Sequence, residues 1–458
     1  MSSGHGSPSA PAPAPRPHQT ATTTEPAAGR TSMFSSLRIR NFRLFTMGQA
    51  VSNTGTWMQR IAQDWLVLTL TGSSTAVGIT TALQFLPMLL FGLYGGVIAD
   101  RCAKRKLLMI TQSVMGLTGL ALAVLTLSGN VHVWHVYALA FVLGMVTVVD
   151  NPTRQTFLNE MVGPRMLRNA VSLNSANFQS ARLVGPALAG VLIGAVGSGW
   201  AFLINGVSFL ATISALVFMR TDELHPTDRA PRSKGQLRDG LTYVRHRPEL
   251  LWPIVLVGFI GTFGFNFPIW LTAFTDRVFD EGASTYGLLN TLVAIGSLTG
   301  ALLAARRAVV RMRLLVGAAL VFGLLEMVAA VTPSFWLFAA LMLPVGVMAL
   351  TFNVTANSSV QLASDPAMRG RVMSLYMMVF VGGTPIGGPL MGWITDTWGA
   401  RVGFLSGGLI SAVIAVAVAL GLARASGLRL SVDLRRGRRL VALVPRDPAP
   451  DREVAPAA

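Results

Sequence analysis

Gly95-Gly96-Val97-Ile98-Ala99-Asp100-Arg101-Cys102-Ala103-Lys104-Arg105-Lys106 is the stretch that decides how this chain folds. It closes one long apolar segment and opens another, Leu107–Leu127, leaving about four residues for a turn. So short a connection makes the two flanking helices antiparallel neighbours. Gly95 and Gly96 carry no side chain, so a crossing helix can approach their backbone closely. Asp100 stands where the first helix ends, and Arg101, Lys104, Arg105 and Lys106 follow at once. A basic cluster beside an apolar span marks the cytoplasmic side of a membrane. Asp100 reads in two ways. It is part of a topogenic charge cluster, or it is a latch that pairs with an arginine or with the positive end of a facing helix.

Composition agrees with a membrane chain. Of 458 residues, 52% are hydrophobic and 12% charged, with mean hydropathy +0.55, whereas soluble proteins carry about 25% charged residues. A net charge of +17 would suggest a nucleic-acid partner if the basic residues sat on one domain. They recur instead in short clusters between apolar runs, so no nucleic acid is read and the lipid bilayer is the environment. Segments long enough to span appear at 42–70, 76–99, 107–128, 132–152, 169–196, 200–219, 250–275, 284–305, 314–332, 335–357, 372–395 and 401–423. The tails and alternate loops hold 33 of the 37 Lys and Arg residues. This bias predicts a multi-pass protein of the cell inner or plasma membrane with both termini in the cytoplasm. Trp134, Trp200, Trp336 and Trp398 fall near the predicted outer ends and fit an interfacial belt. Cys102 is the only cysteine, so no intrachain disulfide is possible.

The expected organisation is all-α. Residues 1–37 form a disordered tail rich in Pro, Ala, Ser and Thr, without the apolar core of a cleaved signal peptide. A six-helix bundle follows over 38–219, a central loop over 220–248, a second bundle over 249–424 and a basic tail over 425–458. The halves echo each other. Gly185-Pro186-Ala187-Leu188-Ala189-Gly190 in the fifth span recurs as Gly388-Pro389-Leu390-Met391-Gly392 in the eleventh, and Val171-Ser172-Leu173 matches Met373-Ser374-Leu375. Two parallel repeats of six spans with a site between them is a transporter plan.

The first span is the most polar. Thr46, Gln49, Asn53, Thr56, Arg60 and Asp64 follow at steps of three or four, on one helical face. Such a face belongs against protein or a water-filled path. Arg60 and Asp64 can pair there, either as a structural ion pair or with Asp64 cycling a proton and Arg60 answering to its charge. Arg182 lies one turn before the Gly185-Pro186 break, as a substrate or gating residue or as a partner of a carboxylate such as Asp150. Asp150 and Arg154 close the fourth span and read as a gate that exchanges partners with Asp100 and Arg101, or as a cap. In the seventh span Phe263, Phe265, Asn266, Phe267 and Trp270 surround Pro268, as the aromatic wall of a ligand site or as helix packing. Glu326 lies mid-span in the ninth. No phosphate-binding loop and no set of nucleophile, base and orienter occurs. The chain reads as no enzyme, with no metal and no cofactor, only a proton gradient as energy source.

Over roughly residues 38–424 the chain resembles the major facilitator superfamily. Gly96-x-x-x-Asp100-Arg101-x-Ala103-Lys104-Arg105 is similar to that superfamily's signature between helices two and three, with Ala103 for a glycine. Gly185-Pro186-x-x-Ala189-Gly190 resembles the helix-five motif of drug:proton antiporters. The equivalent second-half loop, Gly300-x-x-x-Ala304-Ala305-Arg306-Arg307, lacks the aspartate. Gly55-Thr56-Trp57-Met58-Gln59-Arg60-Ile61-Ala62-Gln63-Asp64-Trp65 and Asp150-x-Pro152-x-Arg154-Gln155 resemble the branch with the enterobactin exporter and macrolide-efflux-type proteins. The resemblance implies a monomeric transporter whose partners are a small-molecule substrate and protons, exporting a drug, antibiotic, siderophore or metabolite by proton antiport and alternating access. An uptake symporter on the same fold and a non-transporting scaffold or sensor are the other readings.

Overall fold

The computed structural model describes residues 34–225, 236–305, 312–425, 428–432 and 441–445. Most of the amino-terminal tail, Arg306, Arg307, and Arg435, Arg436, Arg438 and Arg439 of the basic tail lie outside the described residues. The described chain is almost wholly helical: α1 Arg40–Thr71, α2 Ser74–Arg101, α3 Lys104–Leu127, α4 Val133–Val196 and α5 Ser198–Val217 in the first half. After α6 (Gln236–Arg245) come α7 Pro248–Phe259, α8 Phe267–Ala273, α9 Ala283–Ala305, α10 Met312–Val331, α11 Phe335–Ala363, α12 Arg369–Gly382, α13 Thr384–Trp398 and α14 Ala400–Ala425.

Ten of the described helical segments are long and apolar enough to cross a membrane. One of them, α4, has 64 residues, about three times what a crossing needs. It divides at Gly163, whose φ of +67° only glycine adopts without strain. Pro164 follows as the first residue of the second limb, a position where its missing N–H costs nothing. The loop expected between 152 and 169 is therefore helical up to that break, and Pro152 sits inside the helix. α1 falls outside the ten because its polar stripe lowers its hydropathy, yet its 32 residues run the full depth of the first bundle. With α1, and with α4 counted twice, the described residues make twelve crossings in two six-helix bundles.

The repeat is visible in the backbone. Gly197, between α4 and α5, has φ +91° and ψ 167°; Gly399, between α13 and α14, has φ +94° and ψ 159°. Equivalent spans of the two halves thus turn on the same glycine conformation. Ala103 has φ −63° and ψ 110°, an extended geometry open to any residue, so its turn needs no glycine. The seventh span is broken where Pro268 removes a donor. π-helical turns at Ile260–Gly264 and Phe274–Val278 flank α8. In the carboxy-terminal tail, β1 Leu428–Val432 pairs antiparallel with β2 Val441–Pro445. Trp134, Trp200, Trp336 and Trp398 are all exposed at helix ends on one side of the molecule.

Candidate functional site

Two adjoining cavities lie along α1. One, of about 240 Å³, opens inside the first bundle against Gln49, Asn53, Thr56, Gln59, Arg60 and Gln63, with Gln84, Gln112 and Arg154 opposite. The other, of about 360 Å³, lies between the bundles. Trp57, Arg60 and Arg182 face Phe265, Asn266, Phe267, Asn290, Asn353 and Phe380 across it. Arg60 and Phe85 line both. The polar stripe read from the sequence thus faces the interior, as its cost in lipid requires. Gln59 and Gln63 widen it beyond the expected spacing. Gln59 Oε1 accepts a hydrogen bond from Asn205 Nδ2 at 2.6 Å.

Within the stripe the partners differ from expectation. Arg60 and Asp64 form no ion pair. Asp64 is buried and turned toward the second bundle, where Oδ2 accepts a hydrogen bond from the Tyr286 hydroxyl of α9 at 3.0 Å. Trp65 stacks on the same tyrosine, ring centres 6.0 Å apart. Arg60 turns the other way, 5.0 Å from the ring centre of Trp57 and 5.9 Å from that of Phe85. Its Nε is buried with no hydrogen-bond partner among the described residues. Arg182 does not reach Asp150; its guanidinium lies 5.6 Å from the same Trp57 ring centre.

At the basic end the charges pair locally. Asp150 is fully buried, accepting from Thr111 Oγ1 and Gln112 Nε2 of α3 at 2.8 Å each, and it pairs with Arg154 one turn on. Arg154 also donates to Gln49 Oε1 of α1 at 3.0 Å. Asp150 and Arg154 thus sit in a network that joins α1, α3 and α4. Gly95 makes a close approach to α4, where a Cβ would run into the Val148 carbonyl. Lys104 pairs with Glu160, and Arg105 donates to the Leu216 and Val217 carbonyls at 2.6 and 2.9 Å, completing the C-terminal end of α5. Asp100 is half-buried and Arg101 exposed.

The opposite end is where the bundles close. Asp396 of α13 caps the N-terminus of α2 from across the interface. It accepts from the Ser73 hydroxyl at 2.7 Å, the Ser74 and Thr75 amides at 2.8 Å and the Thr75 hydroxyl at 2.7 Å. Arg277 donates to Asp396 at 2.8 Å and also to the Gly72 carbonyl. Below this, the two Gly-Pro elements make the inter-bundle crossings. A Cβ on Gly388 would lie 2.7 Å from the Gly78 carbonyl oxygen, and one on Gly190 3.0 Å from that of Ser284. Gly185 meets α1 instead, where a Cβ would lie 3.0 Å from the Thr54 carbonyl oxygen. Pro186 is buried beside it.

The aromatic cluster of the seventh span divides. Phe265 and Phe267 line the inter-bundle cavity, whereas Trp270 is fully buried against Phe404, ring centres 4.8 Å apart. Asn266 lines the cavity while its Nδ2 donates back to the Thr262 carbonyl at 2.8 Å. Glu326 is buried away from both cavities, and neither carboxylate oxygen has a hydrogen-bond partner among the described residues. Tyr286, Glu160 and Asp396 were missed by sequence reasoning. Asp396, an acid beside Trp398 at a span end, is a signal of the kind Asp100 gave; Tyr286 gave none, its partner being 222 positions away.

Residues 31–435 match the family model described as transmembrane secretion effector. The chain belongs to that family. It is a multi-pass transporter of the major facilitator superfamily and not an enzyme. Among its relatives, the multidrug efflux pump Tap of Mycolicibacterium fortuitum is 27% identical over 79% of this chain and 91% of that protein. The staphyloferrin A transporter of Staphylococcus aureus is 26% identical over 54% of this chain, a match spanning 62% of that protein. The fold is similar to that of a bacterial homologue of the human lysosomal transporter Spinster in an inward-facing, unoccupied conformation. That match has TM-score 0.64 and 13% identity and covers 83% of this chain and 94% of the other.

Proposed function

We propose that this transporter exports a small organic molecule from the cytoplasm in exchange for protons. The observation that carries the reading is the hydrogen bond from Tyr286 to Asp64, a buried carboxylate that joins the two bundles one turn from the cavity between them. Asp64 takes up a proton from outside and releases it inside, and its bond to Tyr286 changes as the bundles rock. Arg60, Asn53, Gln49, Arg182 and Asn266 line the substrate path. Gly96, Asp100, Arg101, Lys104, Arg105, Asp150 and Arg154 belong to the cytoplasmic gate. Pro186 and Gly190 let the bundles approach, and Gly185 lets α4 pack closely on α1. The relatives named as a multidrug efflux pump and a siderophore transporter support a drug-like or siderophore-like cargo.

The domain boundaries follow the same reading: tails at 1–37 and 425–458, bundles at 38–219 and 249–424, and a cytoplasmic loop at 220–248. The basic end then faces the cytoplasm, and the end closed by Asp396 and Arg277 faces outward. The test is a comparison of small molecules inside cells and in their medium, with and without the protein. Export predicts that the cargo accumulates in cells lacking the protein and falls on expression. Expression that instead raises the cell-associated compound overturns export in favour of uptake.

A further inference from the structure

Arg60, Arg182, Arg277 and Arg401 are the arginines that lie away from the basic loops. Two of them are satisfied by the protein. Arg277 pairs with Asp396, and Arg401 donates to the Ala330 and Thr332 carbonyls at 3.0 and 2.8 Å. Arg60 and Arg182 differ: both guanidiniums end on the ring of Trp57, and among the described residues neither pairs with a carboxylate and the buried Arg60 Nε has no hydrogen-bond partner. Both line the inter-bundle cavity. Among the described residues no Asp or Glu lines that cavity or the one adjoining it. The nearest acid along α1, Asp64, is turned away onto Tyr286.

From this arrangement we infer that the inter-bundle cavity receives an organic anion, its acidic group held by Arg60 and Arg182 and its body set among aromatic rings. Two like charges in a site of reduced dielectric repel each other, and a bound carboxylate, sulfonate or phosphate relieves that repulsion. A guanidinium offers such a group paired, charge-assisted donors. Phe85, Phe265, Phe267 and Phe380 supply apolar walls. At about 360 Å³ the space suits a molecule of drug-like size. A cationic cargo meets two positive charges and no counter-charge, and is rejected. The inference rests on the proposal that this cavity is the transport path, and it names the class of cargo.

The test uses the full chain in lipid nanodiscs and two probes sharing one fluorophore: dansylglycine, which carries a carboxylate, and dansylcadaverine, which carries an ammonium. Dansyl anisotropy should show saturable binding of dansylglycine, with dansylcadaverine weaker by about tenfold or more, the span that 1.4 kcal/mol covers. Arg60→Gln and Arg182→Gln should each weaken dansylglycine by about the same factor. Arg182→Lys, which keeps the charge without the planar fork, should recover part of the loss. Dansylcadaverine bound as tightly as dansylglycine, absence of saturable dansylglycine binding, or Gln variants that bind it as the wild type does would each overturn the inference. The comparison of two probes on the wild type needs no variant to fold. A cation-preferring cavity leaves the export reading intact, because that reading is tested by direction of movement. Uptake instead of export leaves the anion preference intact.

Discussion

Asp64 and Tyr286 show how much one contact can decide. A carboxylate on a polar helix face is a signal in the sequence, because an ionisable group inside a span needs a reason to be there. Its partner is not, because i,i+4 spacing points to Arg60 while the fold supplies a tyrosine from the other bundle. Asp64→Asn keeps the shape and a hydrogen-bond acceptor but cannot cycle a proton. It should leave expression and folding intact and abolish transport driven by a pH gradient. Tyr286→Phe removes only the donor, at a cost of about 1 kcal/mol. In a double-mutant cycle followed by thermal unfolding in detergent, the two changes should be non-additive. Additive effects would mean that the Tyr286–Asp64 bond carries no energy.

At the level of elements, glycine placement was the most legible feature. The Gly-Pro repeats in spans five and eleven were visible as a pattern, and they are the crossings at which α4 meets α9 and α13 meets α2. What the pattern did not show is that Gly185 packs within its own bundle while Gly190 packs across the interface. That depends on which helix face each presents. Gly388→Val should therefore force the bundles apart at the closed end, with a penalty of about 1–3 kcal/mol for overpacking. Its measurable sign is faster labelling of a cysteine placed at Thr81, in a Cys102→Ser background. The helix α6 was hidden in a stretch read as polar loop. It is held by Tyr243 and Arg247, whose hydrogen bonds to Asp365 measure 2.7 and 3.0 Å. The Tyr243 hydroxyl, then Arg247, hold the Asp365 carboxyl below its ordinary range. A depressed carboxyl contributes stability above its unfolded value and loses it as pH falls through the folded one. Docking of α6 should thus persist at neutral pH and loosen below the ordinary aspartate range. A spin label at Leu241 would report this as rising mobility on acidification, absent in Asp365→Asn.

For the whole molecule, hydropathy and the distribution of basic residues made twelve crossings and two halves legible. The state in which the halves sit was not, because it is set by pairs far apart in sequence. Asp396 receives hydrogen bonds from Ser73, Ser74, Thr75 and Arg277 and ties the bundles at one end only. Asp396→Ala removes all of them and should shift the population toward the form open at that end. Distances between spin labels on α2 and α13 there should lengthen; an unchanged distribution would show that Asp396 is no gate. The claim on which the account depends most is that the two bundles exchange a proton for cargo through Asp64. The direct measurement uses everted membrane vesicles and the compound whose level in cells falls on expression. With the lumen made acidic, wild-type vesicles should accumulate that compound, lose it when the gradient is collapsed, and show no accumulation with Asp64→Asn. Accumulation that survives collapse of the gradient, or that Asp64→Asn sustains at the wild-type rate, would contradict it.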